Sequence, residues 1–186
     1  CDASKVLLNI IKDTLDFSKI EAGKLILDKT EFSLDELITQ LSTLCSFTAQ
    51  QKDLSFTIES PPALSHYLIG DSLRLLQVLS NLVMNAIHYS NHAGTVSLDV
   101  DEQEGAYKIS INDQGAGIPK QLYSNVFTLF HDQNVDNNDG LGMGLYLAKE
   151  YVELMGGEIG FNSVDGQGTT FWISLPRTDN DTLSIQ

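Results

Sequence analysis

Cysteine, positive charge and long apolar runs are all scarce in this 186-residue chain. Its two cysteines, Cys1 and Cys45, match no metal-ligand spacing and are too few for a disulfide framework. A reducing, cytoplasmic setting is therefore expected. No stretch approaches the roughly 18 apolar residues of a membrane span, and no secretory leader pattern is visible. Lys and Arg number 11 against 25 Asp and Glu, a formal net charge of -14. Such a surface repels the phosphates of nucleic acid and anionic lipid, which disfavours DNA, RNA or membrane-surface binding. A phosphate-bearing ligand would need locally arranged positive potential, from backbone N–H groups, a helix N-terminus or Mg2+.

What is present is an ordinary globular composition. At 42% hydrophobic and 19% charged residues, the chain can bury one sizeable core with no disulfide or metal to hold it. It begins at Cys1 rather than Met and enters a helical pattern almost at once, as a piece of a longer protein would. Val6, Leu7, Ile10, Ile11, Leu15, Phe17 and Ile20 recur at three- and four-residue spacing, which predicts an amphipathic helix over 3–22 with Gly23 as its stop. Two readings of the stripe stand equally: a helix packed on its own domain, or half of a helical hairpin that pairs with another chain.

Beyond a short extended piece, 24–28, Ser33-Leu34-Asp35-Glu36 reads as a capping box opening a helix to about Gln51. Residues 54–58 alternate as a strand, and Pro61-Pro62 break the pattern. Asp71 can cap a long helix to about Tyr89, with Leu75, Leu76, Leu79, Leu82, Val83 and Ile87 inward. Strands are predicted over 95–101, 107–113, 158–163 and 169–175. Residues 114–140 read mostly as loop, and 142–155 as a helix stopped by Gly156-Gly157. The order predicts an α/β two-layer sandwich: a mixed, mainly antiparallel sheet with helices on one face, plus the N-terminal helix. The polar stretch 177–186 reads as a tail or linker.

Three features could carry chemistry. DQGAGI at 113–118 follows a strand. Its glycines let a ligand approach the backbone, and Asp113 could accept a hydrogen bond from an amino group. Alone, it is also an ordinary glycine turn. GLGMGL at 140–145 opens a helix, and such an N-terminus suits a phosphate chain. It is neither a Walker loop nor a Rossmann fingerprint. NLVMNA at 81–86 puts Asn81 and Asn85 on one helix face. An amide oxygen is a suitable hard ligand for Mg2+, although a pair of core asparagines is the plainer reading.

In this order the three features resemble the N, first glycine and second glycine boxes of the histidine kinase branch of the gyrase, heat-shock chaperone and MutL ATP-binding (Bergerat-type) fold. LLNIIKDTLDFSKIEAGKL at 7–25 resembles the second helix of the dimerisation hairpin. FTLF at 127–130 resembles the F box, and GQGTTFWISLP at 166–176 the closing strand. The resemblance implies three parts: 1–23 as a partial phosphotransfer hairpin, 24–176 as the catalytic domain and 177–186 as a tail. It implies ATP and Mg2+ as cofactors, with Asn85 holding the metal against the phosphates and Asn81 beside it. It implies that Asp113 reads the adenine amino group, with Gly115, Gly117 and Ile118 as a pocket wall and Thr169 nearby. His88 and Tyr89 belong to the implied nucleotide-binding set. Residues 131–139 are implied as a lid flanked by Phe127 and Phe130. Gly140, Leu141, Gly142, Met143, Gly144 and Leu145 are implied to shape the phosphate loop.

The ATPase branches carry a Glu where Asn81 stands, to activate water. An asparagine cannot take that proton, so transfer of the γ-phosphoryl to a histidine is implied instead. None of His66, His88, His92 and His131 has the acceptor context of a following acid and a nearby Pro. The accepting histidine helix is therefore an implied partner, along with a second copy of the parent and a response-regulator receiver domain. The resemblance leaves open a membrane-anchored parent and a receiver in the same chain. Two departures bear on phosphate affinity. His88 stands where the family usually has Lys, and a histidine carries little charge at pH 7. The lid stretch holds Asp132, Asp136 and Asp139 and no Lys or Arg. They motivate a rival, a degenerate nucleotide-sensing or scaffold module. A conformational ATPase is opposed by Asn81, and a serine-directed anti-sigma-type kinase by the hairpin-like helix.

Overall fold

A computed structural model describes residues 2–60, 67–91, 93–129 and 143–177; in its first helix, side chains are described at Leu8 and from Ile11 onward. The helices are α1 (Asp2–Glu21), α2 (Leu34–Gln51), α3 (Ser72–Tyr89) and α4 (Gly144–Leu154). The strands are β1 (Thr30–Ser33), β2 (Ser55–Glu59), β3 (Tyr67–Gly70), β4 (Thr95–Gln103), β5 (Ala106–Asn112), β6 (Glu158–Val164) and β7 (Gly168–Pro176), with a 3-10 helix at Lys120–Asn125.

Period-two patterning builds the main sheet. Val96, Leu98 and Val100 of β4, Tyr107, Ile109 and Ile111 of β5, and Phe171, Ile173 and Leu175 of β7 are all buried. Alternation puts each set on one face of its strand, and α2, α3 and α4 close over that face to make one core. The strand order is β2-β4-β5-β7-β6. β2 runs parallel to β4 and the other three pairings are antiparallel. This is the expected mixed, mainly antiparallel sheet. The opposite face is polar: Asn112 bonds Ser97, Asp99 and Thr170 across three strands.

Both predicted N-caps form, but the capping box only by half, since the Glu36 carboxylate makes no hydrogen bond back to Ser33. Ser33 Oγ accepts from the Glu36 N–H at 3.3 Å, and Asp71 Oδ1 accepts from the Arg74 N–H at 3.0 Å. Asp71 Oδ2 also takes the Asp28 N–H at 3.0 Å, tying the 24–28 stretch to α3. Gly23 ends α1 with φ +62°, and the Lys24 N–H reaches the Lys19 carbonyl at 2.8 Å, a Schellman closure.

Several expectations are corrected. β1 and β3, unanticipated, pair with each other as a second small sheet. In α3 the buried set also includes Val78 and Ala86, and Leu76 is only partly buried. The 114–129 stretch contains the 3-10 helix. Pro61-Pro62 and the tail from residue 178 lie outside the described residues.

α1 has a packed face and an exposed apolar face. Phe17 and Ile20 pack against the core, and Phe17 meets the Tyr146 ring at 5.8 Å. Beside them sits Asp16, 3% exposed. Its carboxylate takes both Arg74 guanidinium nitrogens, at 2.5 and 3.0 Å, and the Tyr151 hydroxyl at 2.9 Å. Burial alone would push the Asp16 carboxyl up. The hydrogen bonds from Arg74 and Tyr151, with the Arg74 charge, outweigh it and hold the group below its ordinary value. On the other side Leu8, Ile11 and Leu15 stand 66%, 48% and 55% exposed.

Candidate functional site

Buried polar groups need partners, and their positions mark where a fold does more than pack. Among the described residues the buried polar set is Asp16, Asp71, Ser90, Asp113 and Thr169. Three of these five, Ser90, Asp113 and Thr169, gather where the C-terminal end of α3 meets the loop after β5.

Asp113 is the centre. Its Oδ1 accepts from the Gly115 N–H at 2.9 Å and the Thr169 N–H at 3.1 Å. Its Oδ2 makes no hydrogen bond with the described residues. Burial pushes the carboxyl above its ordinary value, and the two backbone bonds oppose that. The 163–168 turn buttresses the loop from behind. Ser163 Oγ accepts from the Ile118 N–H at 2.8 Å and lies 2.9 Å from Thr169 Oγ1. Tyr123 donates to the Ser163 carbonyl at 2.6 Å. Gly117 has φ +71°, and a Cβ there would strike the Val164 carbonyl. A Cβ at Gly115 would strike the Tyr89 carbonyl.

The face of α3 bearing Asn81, Asn85 and His88 joins this loop to α4. Asn81 Nδ2 donates to the Gly144 carbonyl at 3.2 Å, and Gly144 packs directly on the Asn81 side chain. No side chain caps α4. Met143 is buried at its N-cap and Leu145 is partly buried in its first turn. The half-buried Asn85 makes no side-chain hydrogen bond with the described residues, so a hard amide oxygen is left for another ligand. His88 and Tyr89 touch edge to face, 4.9 Å between ring centres. Phe127 packs between Phe161 and Phe171, at 5.9 and 6.2 Å, anchoring the chain just before the expected lid. Phe130, the lid 131–139, Gly140, Leu141 and Gly142 lie outside the described residues. No group of three or more His, Cys, Asp or Glu among the described residues could hold a metal by itself.

Three positions that shape this region were not legible in the sequence. Ser163 looks like any polar residue of an alternating strand. Asn91, whose amide reaches the Gln114 carbonyl at 3.3 Å, looks like a turn residue. Lys52 follows α2 and reads as its own helix's C-terminal cation. Its ammonium instead bonds the Ile87 and His88 carbonyls of α3.

A mixed sheet covered by helices on one face, with an acid-glycine loop facing an asparagine-bearing helix, matches a known family model. The chain belongs to the histidine kinase-, DNA gyrase B-, and HSP90-like ATPases, matched over residues 70–179. Its relatives are sensor kinases, which makes it a histidine-kinase-type ATP-binding catalytic domain. The sensor protein GacS of Pseudomonas syringae pv. syringae is 41% identical over 190 residues, covering 94% of this chain and 20% of the relative. The signal transduction histidine-protein kinase BarA of Escherichia coli K12 is 35% identical, over 97% of this chain and 20% of BarA. The chain thus spans about a fifth of the length of these relatives. The crystal structure of full-length ShkA in complex with AMPPNP superposes with a TM-score of 0.82 at 27% identity, over 95% of this chain and 37% of ShkA. That of histidine kinase ThkA in complex with response regulator TrrA gives 0.72 at 25% identity, over 95% of this chain and 49% of ThkA. No described helix is long and apolar enough to cross a membrane.

Proposed function

We propose that this domain binds ATP with Mg2+ and hands the γ-phosphoryl group to a histidine outside this chain, for relay to a response-regulator receiver domain. The observation that carries the reading is Asp113. One carboxylate oxygen is consumed by two backbone N–H groups, and the other is unengaged and open to a ligand. That arrangement selects a planar ligand bearing an amino group, such as adenine, by a hydrogen bond that a mismatched donor would lose. Gly115, Gly117, Ile118 and Thr169 form the surrounding wall. Met143, Gly144 and Leu145 bring the uncapped start of α4 towards the phosphates, and the family resemblance assigns Gly140, Leu141 and Gly142 to the same loop and Phe130 to the flank of the lid.

Asn85 would hold Mg2+, which neutralises phosphate charge when bound; its unengaged amide suits that ion. Asn81 has no basic atom, and its N–H is engaged by the Gly144 carbonyl. It orients the α4 start and does not activate water, which favours phosphoryl transfer over hydrolysis. The exposed Leu8, Ile11 and Leu15 stripe supports α1 as the second helix of a dimerisation hairpin, spanning residues 1–23 before the catalytic domain at 24–176. The homodimeric parent would be completed by its histidine helix. On this reading the domain works in the cytoplasm, where its ATP and receiver partner are. A membrane anchor of the parent, on this reading, belongs to segments other than those described.

Calorimetric titration with a non-hydrolysable ATP analogue tests the reading. Asp113→Asn keeps an oxygen for the two N–H groups but puts an NH2 where the ligand's amino group donates. We expect at least tenfold weaker binding with the fold intact, since about 1.4 kcal/mol is a factor of ten. Equal binding by the two proteins would remove Asp113 from the site, and no binding by the parent chain would favour the degenerate-module alternative.

A further inference from the structure

The last turn of α3 is where the asparagine face and the Asp113 loop meet, and a residue outside every motif holds it. A helix leaves its last four carbonyls without intrahelical partners; in α3, counted with the C-cap Ser90, these belong to residues 87–90. The Ala86 carbonyl takes the Ser90 N–H at 3.0 Å and the Ser90 hydroxyl at 2.7 Å. The Ile87 and His88 carbonyls take the Lys52 ammonium, at 3.0 and 2.6 Å. The Tyr89 carbonyl lies against Gly115, so close that no side chain fits between.

Lys52 is the C-cap residue of α2, and the turn that carries it is itself fixed. The Leu54 N–H closes back on the Ala49 carbonyl at 2.9 Å, and the Ser55 N–H bonds the Gly94 carbonyl at 3.0 Å. From α3 the contacts continue forward, through Tyr89 to Gly115 and through Asn91 to Gln114. A rigid α2 end thus grips the α3 end, and the α3 end abuts the residues that follow Asp113.

We propose that Lys52 is a positioning residue for nucleotide. By clamping the last turn of α3 it sets the gap between the Tyr89 carbonyl and the 113–117 loop. The inference rests on the nucleotide-site reading above. Lys52 touches no ligand. Both ammonium contacts are spent on helix carbonyls, so its charge is used against the negative end of α3 and acts through geometry. A loosened α3 end lets the Tyr89 carbonyl drift and opens the adenine wall. The loss therefore falls on what all adenine nucleotides share and not on the phosphates.

The test is titration of the parent chain, Lys52→Met and Lys52→Arg with ADP and with a non-hydrolysable ATP analogue, each with and without Mg2+. Thermal unfolding is followed in parallel. Lys52→Met should stay folded at the assay temperature and bind both nucleotides roughly tenfold more weakly, by the same factor with and without Mg2+. Lys52→Arg, which keeps a cationic donor, should recover most of the affinity. In the nucleotide-free protein, the amide resonances of Gln114 and Gly115 should shift in Lys52→Met while those of β6 stay. A folded Lys52→Met that binds both nucleotides like the parent overturns the inference. So does a loss confined to the ATP analogue or relieved by Mg2+, since the charge would then be acting on phosphate. If Lys52→Met and Lys52→Gln both fail to fold, the residue holds the fold and not the site, and the inference is equally lost. Failure of the parent to bind either nucleotide would remove the nucleotide-site reading and this inference together. Binding by the parent that Lys52→Met reproduces removes this inference alone.

Discussion

Asp113 sits in a contest between burial, which raises its pKa, and two N–H groups that favour the anion. A raised carboxyl is easier to protonate in the folded protein than in the unfolded chain. Its contribution to stability is present in acid and is lost as pH rises through the raised value. Ligand affinity runs the other way, because only the ionised group is a pure acceptor. Nucleotide binding should weaken as pH falls from neutrality through that raised value, and calorimetry in Asp113→Asn should show this pH dependence gone. The glycines behind it are a separate matter. Gly117→Ala puts a side chain at φ +71° and against the Val164 carbonyl. Left-handed strain of this kind costs roughly 1–3 kcal/mol, so urea unfolding should shift to lower concentration. Both residues were visible in the sequence because acid and glycines stand side by side in DQGAGI. Ser163 was not, because its loop partner lies 45 residues away.

At the scale of elements, the periodic segments were legible, the five-residue β2 among them, and the four-residue strands were not. α3 and strands β4, β5 and β7 each bury three or more side chains at a clear period. β1 and β3 have four residues each, and each exists through pairing with the other about 40 positions away. The docking of α1 was equally hidden: Asp16 interrupts an apolar stripe and reads as a solvent residue until Arg74 and Tyr151 meet it. Arg74→Met leaves that carboxylate buried and unpaired, a change of about 3–5 kcal/mol. Release of α1 caps the loss, so the readout is hydrogen exchange, with α1 amides losing protection before those of the sheet. Asp16→Leu/Arg74→Leu should regain much of the difference. Because Asp16 is held below its ordinary value, its share of the docking energy is present above the unfolded pKa. It is lost only as pH falls through the lowered one. Asp13, whose carboxyl is raised by burial and by the Asp16 charge, works in the opposite sense.

For the molecule as a whole, charge and core give two independent readouts. A net charge of -14 repels a polyanionic nucleotide at long range, so its association rate constant should rise with added salt, as stopped-flow mixing can measure. Within the core, burial pushes the Cys45 thiol up to about 11. In a Cys1→Ser background, alkylation of Cys45 should track global unfolding and nothing smaller. The joint between these scales is the two-sided α1. Twist applied through its exposed stripe reaches the rest of the chain through the Phe17 and Ile20 packing and through a buried bidentate ion pair that fits in a single register. Such a joint does not slip by degrees: below its breaking torque it turns the body with the helix, and above it the two part company. The Asp16–Arg74 pair is, in mechanical terms, a clutch.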